Sequence, residues 1–193
     1  RVLGEAWENL PSILRRRYAN RSHTRDEVAV EGLLNVHLSR WMKFWLPLLR
    51  LFGALVPQEG KNIPVRVCFT SFDNSNHLNF HRTFRFPDKG DVVFQSLWIP
   101  RRGDEVVEQM RFGMVWRMRF IFADDKIQLC HRGYAWHVGK WYIPLPLTWI
   151  LGRAYAYEKA VSDDSFDMYF ELIHPWWGKV FGYDGHFHAI EVK

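Results

Sequence analysis

The sequence predicts a mainly β chain, an antiparallel barrel or strongly curved sheet with N-terminal helices and one hydrophobic capping helix. Three observations carry that prediction. Downstream of Pro57, runs of period-two alternation follow one another, each the signature of a half-buried strand. Short clusters rich in Asp, Asn, Ser and Gly separate the runs and read as tight turns between antiparallel neighbours. Aromatic residues make up 17% of the 193 residues and include ten Trp, ample material for a large core.

The first segment is helical. Leu3, Trp7, Leu10, Ile13, Leu14 and Tyr18 recur at spacings of three and four, and Pro11-Ser12 splits the run into two short helices. Thr24 to Leu38 reads as a first strand, with Val28, Val30 and Leu34 as apolar members and Gly32 as a weak point. From Leu38 to Val56 the chain is apolar apart from a narrow basic stripe of Arg40, Lys43 and Arg50. The run is short for a span, is interrupted by Pro47 and carries charge near its middle, so a transmembrane helix is not expected. It reads either as a helix packed on the β core or as an interfacial helix, a lid over a cavity mouth that touches membranes without crossing them.

Strands follow in order. Val65, Val67 and Phe69 alternate, Asp73 to Asn76 turns, and Leu78 to Phe86 returns as the second arm of a hairpin. Asp88-Lys89-Gly90 turns into a strand over Val92 to Ile99, and Arg101 to Asp104 turns into Glu105 to Met110. Met114 to Phe122 alternates, and Asp124-Asp125 leads it into Lys126 to His137. A Pro-rich stretch, Ile143 to Trp149, interrupts the sheet. Strands over Gly152 to Val161 and Ser165 to Ile173 flank Ser162 to Asp164. Pro175 to Gly182 reads as a loop, and Tyr183 to Val192 as the last strand. Closure into a barrel is favoured because it removes exposed edges.

Arg82 is the sharpest local signal. Leu78, Phe80, Phe84 and Phe86 lie on one side of its strand and Asn79, His81, Thr83 and Arg85 on the other, so Arg82 points into the apolar face. An arginine keeps its charge and is rarely buried unpaired. Its acceptor is either Glu108, which shares a side with Val106 and Met110, or the carbonyl or anionic end of a ligand. His131 shares a side with Ile127 and Leu129, and Trp116, Phe120, Trp136 and Phe170 are candidate walls of the same interior.

Other chemistry finds little support. The net charge of +5 comes from scattered basic residues without a nucleic-acid-binding signature, so no nucleic-acid partner is expected. Cys68 and Cys130 form no disulfide framework or metal spacing, and no signal-peptide pattern opens the chain, which points to the cytoplasm. His186 and His188 share a strand face but nothing in the sequence completes a metal site, so no metal and no cofactor are expected. Nucleotide-binding loops and nucleophile elbows are absent from the sequence.

Four strings carry a resemblance: Arg16 to Tyr18, Gly60 to Val65, Arg82 to Phe86, and Gly178 to Phe187. In this order the chain resembles, over almost its whole length, the bacterial family of domain of unknown function 4166. It departs from the family's pattern at Leu129 to Tyr134. The resemblance implies no reaction and no catalytic residues. It does imply a frequent neighbour, a nicotinamide-binding reductase-like domain in the same polypeptide. A chain that opens at Arg1 suits a piece of such a polypeptide, here read as one domain over residues 1–193.

The fold expected is therefore a lipocalin-like barrel. The first functional reading is a non-catalytic binding module for an apolar small molecule with an anionic or carbonyl end, Arg82 holding that end and possible service to a linked reductase domain. A second is an accessory enzyme domain of cyclase or isomerase type, with Glu108 or His131 as general acid or base. A third is a purely structural domain.

Overall fold

The computed structural model describes residues 2–53, 58–87 and 90–192. Its strands are β1 (Glu27–Leu38), β2 (Gly60–Ser71), β3 (Leu78–Phe86), β4 (Gly90–Pro100), β5 (Glu105–Gln109), β6 (Met114–Ala123), β7 (Lys126–Val138), β8 (Trp141–Leu145), β9 (Arg153–Ala160), β10 (Ser165–His174) and β11 (Gly178–Val192). Three helices accompany them: α1 (Ser12–Arg17), α2 (Arg40–Phe52) and α3 (Thr148–Leu151), with 3-10 turns over Gly4–Asn9 and Arg111–Gly113. The alternation expected from the sequence appears as ten antiparallel strands closed into a barrel. They run β6-β5-β4-β3-β2-β1-β11-β10-β9-β7, and β7 pairs back onto β6.

β7 is shared among three neighbours. Lys126 to Cys130 pair with β9, while Tyr134 to Val138 pair with β8, which has no second partner among the described strands. A register shift in the β6–β7 ladder between Arg117 and Met118 marks the division. The barrel wall is thus sealed by β9 at one end and splayed toward β8 and α3 at the other. The Pro-rich stretch therefore does not wholly interrupt the sheet, because Ile143 to Leu145 belong to β8. Pro144 is tolerated on a strand with a single neighbour. The expected loop over Pro175 to Gly182 is also shorter, since β11 already begins at Gly178.

Local chemistry explains the joints. Asp124 and Asp125 take φ of 53° and 56° in the two-residue turn between β6 and β7, a conformation that suits the twist of a hairpin. The Asp163-Asp164 turn between β9 and β10 receives α1, with Ser12 Oγ donating to Asp163 Oδ1 at 2.8 Å and Arg16 to Asp164 Oδ1 at 2.6 Å. Ser39 starts α2, its hydroxyl accepting the Met42 N–H at 3.2 Å. α2 runs through Pro47 without ending there. The expected turn residues Asp88 and Lys89, and Val56 at the end of the expected apolar run, lie outside the described residues.

The core is the barrel interior, filled by side chains such as Val30, Phe69, Phe84, Met118, Phe166 and Phe187, all buried. Each such side chain contributes about 1.5–3 kcal/mol when fully withdrawn from water. α1 packs where β1 begins and β11 ends, its Ile13, Leu14 and Arg17 buried. α2 follows the other end of β1 and packs on β11. The two helices therefore lie at opposite ends of the barrel.

Candidate binding cavity

A cavity of about 400 Å³ occupies the α2 end of the barrel. Trp45 and Leu49 of α2, Phe84, Trp116, Leu147 and Phe170 are among its walls. Among the described residues, the charged ones that line it are Arg82 and Glu108, joined by the phenols of Tyr134 and Tyr183.

The inward phase of β3 delivers Arg82 to this wall as the alternation requires. Arg82 Nη2 donates to Glu108 Oε1 at 2.6 Å and to Ser96 Oγ at 3.0 Å, and Ser96 Oγ also donates to Glu108 Oε1 at 2.6 Å. Cross-strand register produces the triad, with Ser96 on β4 between β3 and β5. The guanidinium lies between the rings of Phe80 and Phe94, its central carbon 3.9 and 3.8 Å from their centroids. Such faces favour a cation, most of all where water is excluded. Of the two acceptors the sequence allowed, Glu108 is engaged in this structure.

Tyr183, on β11, adds the remaining polar group. Burial pushes its phenol up to about 12, against the nearby Arg82 charge, with Glu108 and Glu158 raising it further. It is therefore a neutral donor at ordinary pH. Tyr134 is likewise raised by burial, and its hydroxyl donates to Gly152 O at 3.2 Å.

Glu158 belongs to a second interior ion pair that the sequence reading missed. Arg17 of α1 enters the barrel and approaches Glu158 at 3.5 Å, both side chains almost wholly enclosed. The guanidinium carbon lies 4.4 Å from the centroid of Phe69. Burial raises the Glu158 carboxyl despite Arg17, and burial first, then the Glu158 charge, raises Tyr18. The signal was available: Ala154, Ala156 and Glu158 alternate on β9, and all three are buried.

The expected site residues separate into two groups. Arg82, Glu108, Trp116, Trp136 and Phe170 share the cavity. Phe120 does not, and instead lines a second cavity of about 360 Å³ at the α1 end with Trp7, Tyr18 and Trp98. It lies four residues beyond Trp116 on β6, about 13 Å along a strand. Alternation gives the face of a side chain but not its depth in a barrel. His131 is also off the cavity wall: Trp116 Nε1 donates to its Nδ1 at 3.0 Å, and Nε2 faces Thr148 Oγ1 at 3.3 Å. Burial, helped by Arg153, lowers its pKa to about 4, so the ring is a neutral brace for the Trp116 indole.

His186 bonds Asp167 at 2.7 Å, and its ring lies 4.8 Å from that of His188. Among the described residues no group of three or more His, Cys, Asp or Glu is placed to hold a metal, and no helix is long and apolar enough to cross a membrane.

No curated protein matches the chain. A solved structure, the dehydratase domain of the polyketide PpsC from Mycobacterium tuberculosis, aligns over 97% of this chain and 84% of its own at 8% identity, with a TM-score of 0.21. The model of the family described as domain of unknown function (DUF4166) matches residues 10–187, from the entry of α1 to the buried Phe187 of β11. That match takes in both interior ion pairs and all the strands of the ring except the end of β11 beyond Phe187, and the chain belongs to that family.

Proposed function

We propose that the barrel is a non-catalytic binding module for an apolar small molecule bearing one polar end. The observation that carries this reading is the α2-end cavity, about 400 Å³ with apolar walls and one polar cluster around Arg82. Its size falls in the ordinary range for small-molecule sites, and convergent polar groups in an apolar hollow orient a ligand.

The closed Arg82–Glu108 pair argues for a carbonyl end over a full anion. An anion would have to draw Arg82 away from Glu108 and leave that carboxylate unpaired in an apolar wall, which is costly. A ketone, ester or amide oxygen instead takes a hydrogen bond from the neutral Tyr183 hydroxyl and leaves the pair intact. Acid–base catalysis has less support, because Glu108 Oε1 is held by Arg82 and Ser96 and His131 lies behind Trp116.

The test fills the cavity. Ala154 is a buried wall residue, and Ala154→Trp puts an indole where ligand would sit. The neutral, carbonyl-bearing dye Nile red is expected to bind the unaltered chain more tightly than anionic anilinonaphthalene sulfonate, and Ala154→Trp is expected to abolish Nile red binding. Native mass spectrometry of gently purified protein should show a co-purified apolar molecule that the variant lacks. Undiminished dye binding by a folded Ala154→Trp chain would refute the reading.

A further inference from the structure

The cavity mouth is ringed by a continuous apolar collar built from four separate segments, residues 40–53, 110–113, 136–153 and 174–182. Ring contacts and hydrogen bonds join them. Phe52 meets Phe112 edge-on at 6.0 Å, and Trp136 Nε1 donates to Phe112 O at 2.7 Å. Trp41 stacks on Trp177 at 4.2 Å and donates to Ile150 O at 3.1 Å, and Trp149 lies 5.8 Å from Trp176.

This collar faces outward. Phe44, Phe112, Trp141, Trp149 and Trp176 are each between 61% and 76% exposed, an unusual state for such large apolar side chains. The β7–β8 hairpin explains part of it. Trp136 pairs with Ile143 and Val138 with Trp141, on the face that carries the cavity residues Tyr134 and Leu145 farther in. Where β7 leaves β9, the interior face of the barrel simply runs on past the rim into the open.

Charge identifies what the collar meets. The four segments hold seven of the ten Trp and seven Lys or Arg, but no Asp or Glu, in a chain with 21 acidic residues. Glu59, just beyond the first segment, is paired with Lys43 at 2.6 Å. Trp concentrates where a bilayer meets water, Lys and Arg reach anionic headgroups, and apolar side chains between them enter the acyl boundary. A second copy of the chain is a poor fit, since two collars face to face would oppose basic residues with no acid to answer them.

We propose that this collar is a docking surface for an anionic phospholipid bilayer, setting the cavity mouth against the membrane without any segment of the collar spanning it. The proposal does not depend on what the cavity holds.

The test is sedimentation of the chain with vesicles of phosphatidylcholine alone and of phosphatidylcholine mixed with phosphatidylserine. The chain is expected to pellet with the mixed vesicles and to be released by added salt. Arg111→Glu with Lys140→Glu should weaken this partition by about tenfold or more, and Phe44→Gln with Trp141→Gln should do so without removing charge. Circular dichroism and melting check that each variant is folded, and one pair removes charge while the other removes apolar surface, so misfolding of one leaves the other decisive. Failure of the unaltered chain to pellet with either vesicle would overturn the proposal. So would unchanged partition of the folded variants, or a dimer in the ultracentrifuge that the same variants dissociate while vesicles stay unbound.

Discussion

A guanidinium between two phenyl rings, with a carboxylate at 2.6 Å, has exchanged water for a fixed set of partners. Removing the cation alone leaves Glu108 buried with only Ser96 as donor. Arg82→Met is therefore expected to cost about 3–5 kcal/mol in urea denaturation, and Glu108→Gln added to it to recover much of that loss. Wild-type stability in Arg82→Met would show that the pair does not hold the barrel. His131 gives a pH signature of its own. It takes a proton near 6.5 when unfolded but only at about 4 when folded. The unfolded chain then binds more protons between those values, so this histidine lowers stability as pH falls through that window and adds nothing further below it. An NMR titration should find the ring neutral at pH 5, and His131→Gln should flatten the acid slope of the melting temperature. A ring titrating near 6.5 would contradict this. Arg82 and Glu108 were legible because each sits in a clean alternation. Arg17 was hidden because its strand-filling role comes from a six-residue helix, whose period says nothing of what it plugs.

The elements show where pattern ends and tertiary context begins. β3, β6 and the turns at Asp124 and Asp163 are written plainly in their residues, and so is the apolar helix α2. β8 is not, because Pro144 breaks its pattern and its one neighbour among the described strands is the outer half of β7. Its junction with β9 rests on Gly152, at φ 89°, where an added Cβ would lie 2.5 Å from Ile173 O. Gly139, in the β7–β8 turn at φ 61°, also has a positive φ but open space around it. Gly152→Ala is thus expected to cost about 1–3 kcal/mol of backbone strain plus the clash, and Gly139→Ala the strain alone. Thermal melts of the two variants test this, and equal losses would place no steric weight on the α3–β10 contact.

Across the whole molecule the two ends of the barrel differ in construction. At the α1 end the ring is sealed by the β7–β9 ladder, and α1 is tied to the β9–β10 turn through Ser12 and Arg16. At the α2 end β7 abandons β9, and the wall is completed by β8, which has one ladder partner among the described strands where each strand of the ring has at least two. A meander of alternating strands was enough to expect closure, but one strand serving three neighbours leaves no mark in periodicity, so neither the splay nor the depth at which each expected wall residue sits was readable. Local opening follows the number of contacts that must break, and a strand held on one side opens at lower cost than one held on both. Amide exchange should therefore be fastest in β8 among the strands, and slowest in β1 and β11, long strands held on both sides. If the cavity is filled through this end, Nile red should slow exchange in β8 and α2 while leaving α1 unchanged. Exchange measured by mass spectrometry with and without the dye decides it. Protection of β8 equal to that of β1, or a dye effect confined to the α1 end, would place the entrance elsewhere.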